Sequence, residues 1–175
     1  ELLTMTEQPF PGRMPSRTAD ERTMLRQWLE FHRATFARKL QGLTPAQLAL
    51  RSAEPSEMSL LGLLQHHAEG ERWMFGCLFK GEPDVPYFSP VDFGDLTGAD
   101  DAVVAASWAA WHEACARSRE IEAAAALDDM TAMPGPWENE PVSLRWLVVH
   151  VIEEYARHNG HADLLRERID GNAGW

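Results

Sequence analysis

Cysteine is scarce in this chain: Cys77 and Cys115 are the only two among 175 residues. Two cysteines make neither a disulfide framework nor a thiolate zinc site. Each falls in a helical apolar pattern, where a free thiol behaves as a small hydrophobe, and this usage fits a reducing cytoplasm. Long hydrophobic runs are missing as well, since no stretch of about 18 apolar residues exists to span a bilayer. Positive charge is also short: 16 basic residues against 27 acidic ones leave a net charge of −11. That balance argues against a nucleic-acid backbone or an anionic membrane as the main partner. Glu1–Arg13 lacks the basic start and apolar stretch of a signal peptide. Residues 1–17 read as a leader or tag remnant, poorly ordered, with Met5 a candidate native start.

Period-2 alternation is absent too, and what remains is helical. Thr18 with Glu21 three residues on predicts a capping box. It opens a helix with the stripe Leu25, Trp28, Leu29, His32, Phe36, Leu40, closed by Gly42. Thr44-Pro45 starts a short helical turn. Ser56 or Ser59 caps a second long helix, SLLGLLQHHAEGERWMFGCLF, which Gly81 stops. A proline-rich connection over 82–98 follows. A third helix is expected over about Ala99–Asp129, and a fourth over about Val142–Asp170, capped by Ser143 and ended by Gly171. The expectation is a single all-α domain over 18–171, a four-helix bundle with a long connection between helices two and three. That connection is long enough to cross the bundle, so simple up-down-up-down order is not required.

The fourth helix carries the chemistry. At about 100° per residue, Leu144, Leu147, Val151, Tyr155, Ala162, Leu165 and Ile169 form one apolar stripe. Glu154 and His158 fall inside it, His150 and His161 at its edge, and Glu153 away from it. A carboxylate on a core face requires a partner. Its neighbours at i−4 and i+4 are both histidines, and carboxylate with imidazole suits a first-row divalent ion. Helix two offers His66 or His67 as the third ligand. By the apolar centre of that helix His67 faces inward more squarely, but Gly62 and Gly70 flank His66 and leave space beside it, at about 1 kcal/mol each. Asn159-Gly160, a turn signal in mid-helix, fits the same account as a place where backbones come close. Plainer readings stand beside these. His32 and His112 read as core histidines, and Glu154 with His158 also suits a buried hydrogen-bonded pair or a salt bridge to Arg145 or Arg157.

SLLGLLQHHAEGERWMF and LRWLVVHVIEEYARHNGHADLLRERIDG resemble the DinB-like family, in particular a branch common in actinobacteria with a helix-two His and a late RHxGHxD segment. The resemblance covers nearly the whole of Thr18–Gly171 and implies a four-helix bundle with a metal, often zinc or nickel, at one end. The ligands it implies are His66, Glu154 and His158. Many relatives carry His where Glu154 stands; Glu154 matches the mycothiol-dependent maleylpyruvate isomerase branch. His161, a Gln in some relatives, is expected as a supporting or substitute ligand, and whether His67 or His150 joins the site stays open. The family implies a metal-dependent S-transferase or isomerase in which the ion activates mycothiol, another low-molecular-weight thiol, or water. Trp73, Tyr155 and Arg157 are expected in the cofactor pocket, with the 82–98 connection as its rim. A small-molecule substrate is implied, and the apolar, Trp-rich helices suit a homodimer. A metal-dependent hydrolase without thiol and a non-catalytic metal-binding bundle are the alternatives.

Overall fold

The computed structural model describes residues 14–89, 95–136 and 139–172. Among these residues five α-helices form: α1 Glu21–Leu40, α2 Pro45–Leu48, α3 Leu60–Glu71, α4 Asp101–Ala124 and α5 Leu144–Asp170. No strand forms among the described residues, only a single bridge between Met130 and Ser143. None of the described helices is long and apolar enough to cross a membrane.

Local caps explain most of the boundaries. Thr44 and Gln47 make a reciprocal capping box on α2, and Ser59 and Ser143 cap α3 and α5. Gly171 ends α5 at φ 80°, the left-handed region that favours glycine. The expected capping box at Thr18 does not form. Asp20 caps α1 instead and accepts from the Thr23 N–H, because an Asp directly before the first helical residue reaches those donors. The third helix is shorter than expected, running from Asp101 to Ala124. Of the leader, residues 1–13 with Met5 lie outside the described residues, while the Ser16 N–H donates to Gln27 Oε1.

The second long helix changes character midway. After Glu71 it continues as a π-helix over Arg72–Phe79, before Gly81 turns the chain at φ 71°. A π segment takes more residues per turn than an α-helix, so side chains beyond Glu71 leave the phase of the α-helical wheel.

The directions of the helices follow from their contacts. Arg33 meets Glu71 and Phe36 meets His67, so α1 and α3 run antiparallel. Gln65 meets Ser107 and Glu71 meets Cys115, so α3 and α4 run parallel. His32 meets Asn159 and Lys39 meets Asp163, so α5 returns parallel to α1. The connection after Gly81 therefore carries the chain back along the bundle. Leu60, Leu61, Leu63 and Leu64 of α3 are fully buried and share one hydrophobic core with Phe36, Phe75, Leu144 and Leu147.

Asn159 and Gly160 play different parts. The Asn159 amide donates to the His32 carbonyl at 3.2 Å and ties α5 to α1. Gly160 is exposed and a Cβ there meets nothing within 4 Å, so no close backbone approach requires it, contrary to the expectation. Gly160→Ala is therefore expected to raise stability by about 0.5–1 kcal/mol through helix propensity. Urea unfolding followed by circular dichroism would read it as a higher midpoint at unchanged slope.

Candidate metal centre and its pocket

The i, i+4 spacing on α5 projects Glu154 and His158 together, and the antiparallel α3 lays His66 across from them. His158 Nε2 lies 3.4 Å from Glu154 Oε2, and His66 Nε2 lies 3.8 Å from the same oxygen. One donor atom from each of the three falls within 4.8 Å of the other two. The two imidazoles meet edge to face with ring centroids 4.7 Å apart. The other carboxylate oxygen of Glu154 faces Arg157 at 3.1 Å. Arg157 is exposed and also holds Glu153, so it sits on the solvent side of Glu154. Arg145 pairs with Glu21 and Asp128 at the far end of α5, away from Glu154.

His158 is buried, and its outer nitrogen is engaged: His161 Nδ1 lies 3.2 Å from His158 Nδ1. Burial, with His66 and His161 nearby, pulls the His158 pKa down to about 4, so the imidazole is neutral at neutral pH. His161 thus reaches His158 without joining the three-donor group. His150 stacks on Trp146 and forms a second, more exposed group with Glu153 and Glu154. His67 turns into the core, stacked on Tyr155 at 3.9 Å and 2°, with its Nε2 buried and without a hydrogen-bond partner. Burial, and after it the nearness of His66, His158 and Arg33, holds His67 well below the ordinary histidine range. The two plainer histidines separate: His32 is half-buried against Trp28, whereas His112 is exposed and stacks on Trp108, contrary to its expected core place.

Beside the group opens a pocket of about 80 Å³ that His66 and Glu154 help to line. Gly70, Met74, Val151 and Tyr155 wall it. A Cβ at Gly70 meets nothing within 4 Å, which bears out the space expected beside His66. Trp73 does not line this pocket; it is half-buried against the core. On an α-helical wheel Trp73 stands within about 20° of His66, but the π segment shifts that phase and Met74 takes the place. None of the described residues of the 82–98 connection lines the pocket either. Phe88 N–H donates to Glu69 and Tyr87 OH to Glu113, on the α3–α4 side, and residues 90–94 lie outside the described residues.

Below the pocket lies a charged network that the sequence reading missed. Glu71, 1% exposed, accepts two hydrogen bonds from Arg33 at 2.7 and 2.6 Å. Tyr155 OH donates to Glu71 Oε1 at 2.9 Å and accepts from Trp111 Nε1 at 2.8 Å. Cys115 Sγ lies 3.6 Å from the same carboxylate oxygen. The guanidinium holds the Glu71 carboxyl below the usual range although burial pushes it up. The signal was present: Glu71 falls at core spacing between Ala68 and Phe75, and Arg33 between Leu29 and Phe36. Both cysteines are buried and free, as expected.

Comparison with known proteins fits this arrangement. No curated protein matches the chain. A family model described as mycothiol-S-transferase matches residues 24–171, from the first turn of α1 to the glycine that ends α5. The chain therefore belongs to the mycothiol S-transferase family, which is DinB-like.

Proposed function

We propose that this protein is a metal-dependent S-transferase that joins the sulfur of mycothiol to a small electrophile. The observation that carries the reading is the convergence of His66, Glu154 and His158 from two helices beside a pocket. Two imidazoles and one carboxylate suit zinc or nickel, and three protein donors with adjacent space leave a coordination position for a ligand. A divalent ion bound there supplies positive charge that lowers the pKa of a thiol or water.

The chain's own residues have distinct parts. His66, Glu154 and His158 hold the ion. His161 is a positioning residue: with the shared proton on His158 Nδ1, His158 Nε2 keeps its lone pair toward Glu154 and His66. Arg157 holds the outer oxygen of Glu154 and leaves Oε2 directed at the histidines. Tyr155, Met74 and Val151 keep bulk water from one side of the group. This division also separates the reading from a closed four-ligand structural site, since His161 faces the far nitrogen of His158.

His161→Ala is expected to weaken zinc binding about 10–100-fold, while His161→Gln, which still accepts from His158 Nδ1, restores most of it. Competition with a chromogenic chelator measures both. The function itself is tested by incubating zinc-loaded protein with mycothiol and an epoxide and following conjugate formation by mass spectrometry. Conjugate that needs both protein and mycothiol supports the reading. Turnover that persists without thiol contradicts it and favours a hydrolase.

A further inference from the structure

We propose that the pocket beside the metal-binding group receives the carbon chain of the electrophile and selects uncharged electrophiles with a short aliphatic group, Gly70 and Met74 setting the size limit. The inference rests on the S-transfer reading above and names its second substrate. Because His66 and Glu154 both line the pocket, a molecule seated in it touches two members of the group.

Three observations set the chemistry of the occupant. The first is size: about 80 Å³ is half of the roughly 150 Å³ that hold a benzene ring, room for about three or four carbons. The sugar-bearing body of mycothiol does not fit such a space. The second is that two of the three buried polar residues of the wall, Glu71 and Tyr155, are already engaged. Glu71 has both oxygens bonded to Arg33, Tyr155 and Cys115, and Tyr155 OH is used by Glu71 and Trp111. His67 Nε2 has no hydrogen-bond partner but is itself buried, behind a ring stacked on Tyr155. A charged or strongly hydrated group would therefore lose water and find, in this part of the wall, at most the buried His67 Nε2 as a partner. The third is the remaining wall, Gly70, Met74 and Val151, which is apolar and adjustable. Gly70 leaves its Cβ position empty, and Met74 is a flexible side chain that fills space rather than bonding.

With an epoxide, the thiol sulfur bonds to the terminal ring carbon as the carbon–oxygen bond breaks. The oxygen keeps the electron pair and takes the proton that the thiol gave up, so a hydroxy thioether forms without a further reactant.

The test is kcat/KM with mycothiol for 1,2-epoxyalkanes from propane to octane and for glycidate, a charged epoxide of the shortest length. A thiol-free titration of 1-fluorobutane followed by fluorine NMR accompanies it. The expected result is a maximum near butane, a fall of at least tenfold by octane, and glycidate at least tenfold below epoxypropane. Gly70→Leu moves the maximum to shorter chains and abolishes fluorobutane binding; Met74→Ala moves the maximum to longer chains. Opposite shifts in two variants do not arise from misfolding. A flat chain-length profile, or one that neither variant moves, overturns the pocket assignment while S-transfer stands. If no epoxide reacts, the S-transfer reading fails and the NMR titration alone decides: fluorobutane binding lost in Gly70→Leu sustains the pocket as an aliphatic site, and absence of binding in the native protein overturns it.

Discussion

Glu154→Ala is expected to lower S-transfer activity by at least about 100-fold while shifting the melting temperature by no more than about 2 °C. The first half follows from the two imidazole nitrogens that converge on Glu154 Oε2. Loss even of a residue that only supports a metal ligand costs about 10–100-fold, so loss of a ligand costs more. The second half follows from exposure. The Glu154 side chain is 23% exposed, its ion pair is with the exposed Arg157, and Arg157 keeps Glu153 when Glu154 is gone. Exposed pairs of this kind contribute about 0–1 kcal/mol, and alanine is the best helix former. Steady-state kinetics beside a thermal melt separate the two parts. A large drop in melting temperature with unchanged metal binding would make Glu154 a structural residue and remove it from the site.

Glu71→Ala is expected to do the reverse and unfold the protein more readily. It leaves the Arg33 guanidinium, 2% exposed, without the carboxylate that accepts two of its hydrogen bonds. It also strips Tyr155 OH of its acceptor. Breaking one side of a buried ion pair costs about 3–5 kcal/mol, and at about 2–4 °C per kcal/mol for a chain of this size the melting temperature should fall by roughly 6–20 °C. Replacing both partners with methionine should recover most of that loss, because the buried guanidinium, which otherwise keeps only the more exposed Glu30, is then gone. Glu71 is a carboxyl whose folded pKa is lowered. Its stabilisation is therefore complete above the ordinary glutamate pKa and is lost as pH falls through the lower folded value. Between pH 5 and pH 2 the Glu71→Ala variant should accordingly lose less stability than the native protein. Equal pH slopes would count against the network.

What could be read from the chain divides by range. Thr44-Pro45, Ser59, Ser143 and Gly171 were legible because caps are made by neighbours in sequence. Asp20 displaced Thr18 within the same few residues, where several side chains compete for the same free N–H groups. Glu154 and His158 were legible because four residues make one helical turn. His66 was legible only as one of two candidates, since the wheel favoured His67 for the interior while Gly62 and Gly70 favoured His66. The family resemblance chose His66, and His67 is indeed the one that turns inward. The π segment after Glu71 was not legible, so Trp73 was expected where Met74 stands. The parallel course of α3 and α4 depends on contacts far apart in sequence, such as Gln65 with Ser107. Arg33 and Glu71 were visible as charges at core spacing, but their partnership across helices was not. Gly160 was given a packing role that its empty surroundings do not support.

His66, Glu154 and His158 are proposed to hold a divalent ion, and every other role assigned to the site depends on it. Metal content per chain, measured by elemental mass spectrometry on tag-free protein and on His158→Ala after the same zinc or nickel soak and wash, tests it most directly. About one ion per chain is expected in the native protein and almost none in the variant. No ion in the native protein, or an equal amount in both, would contradict it and leave Glu154 and His158 as a polar pair at the edge of an apolar pocket.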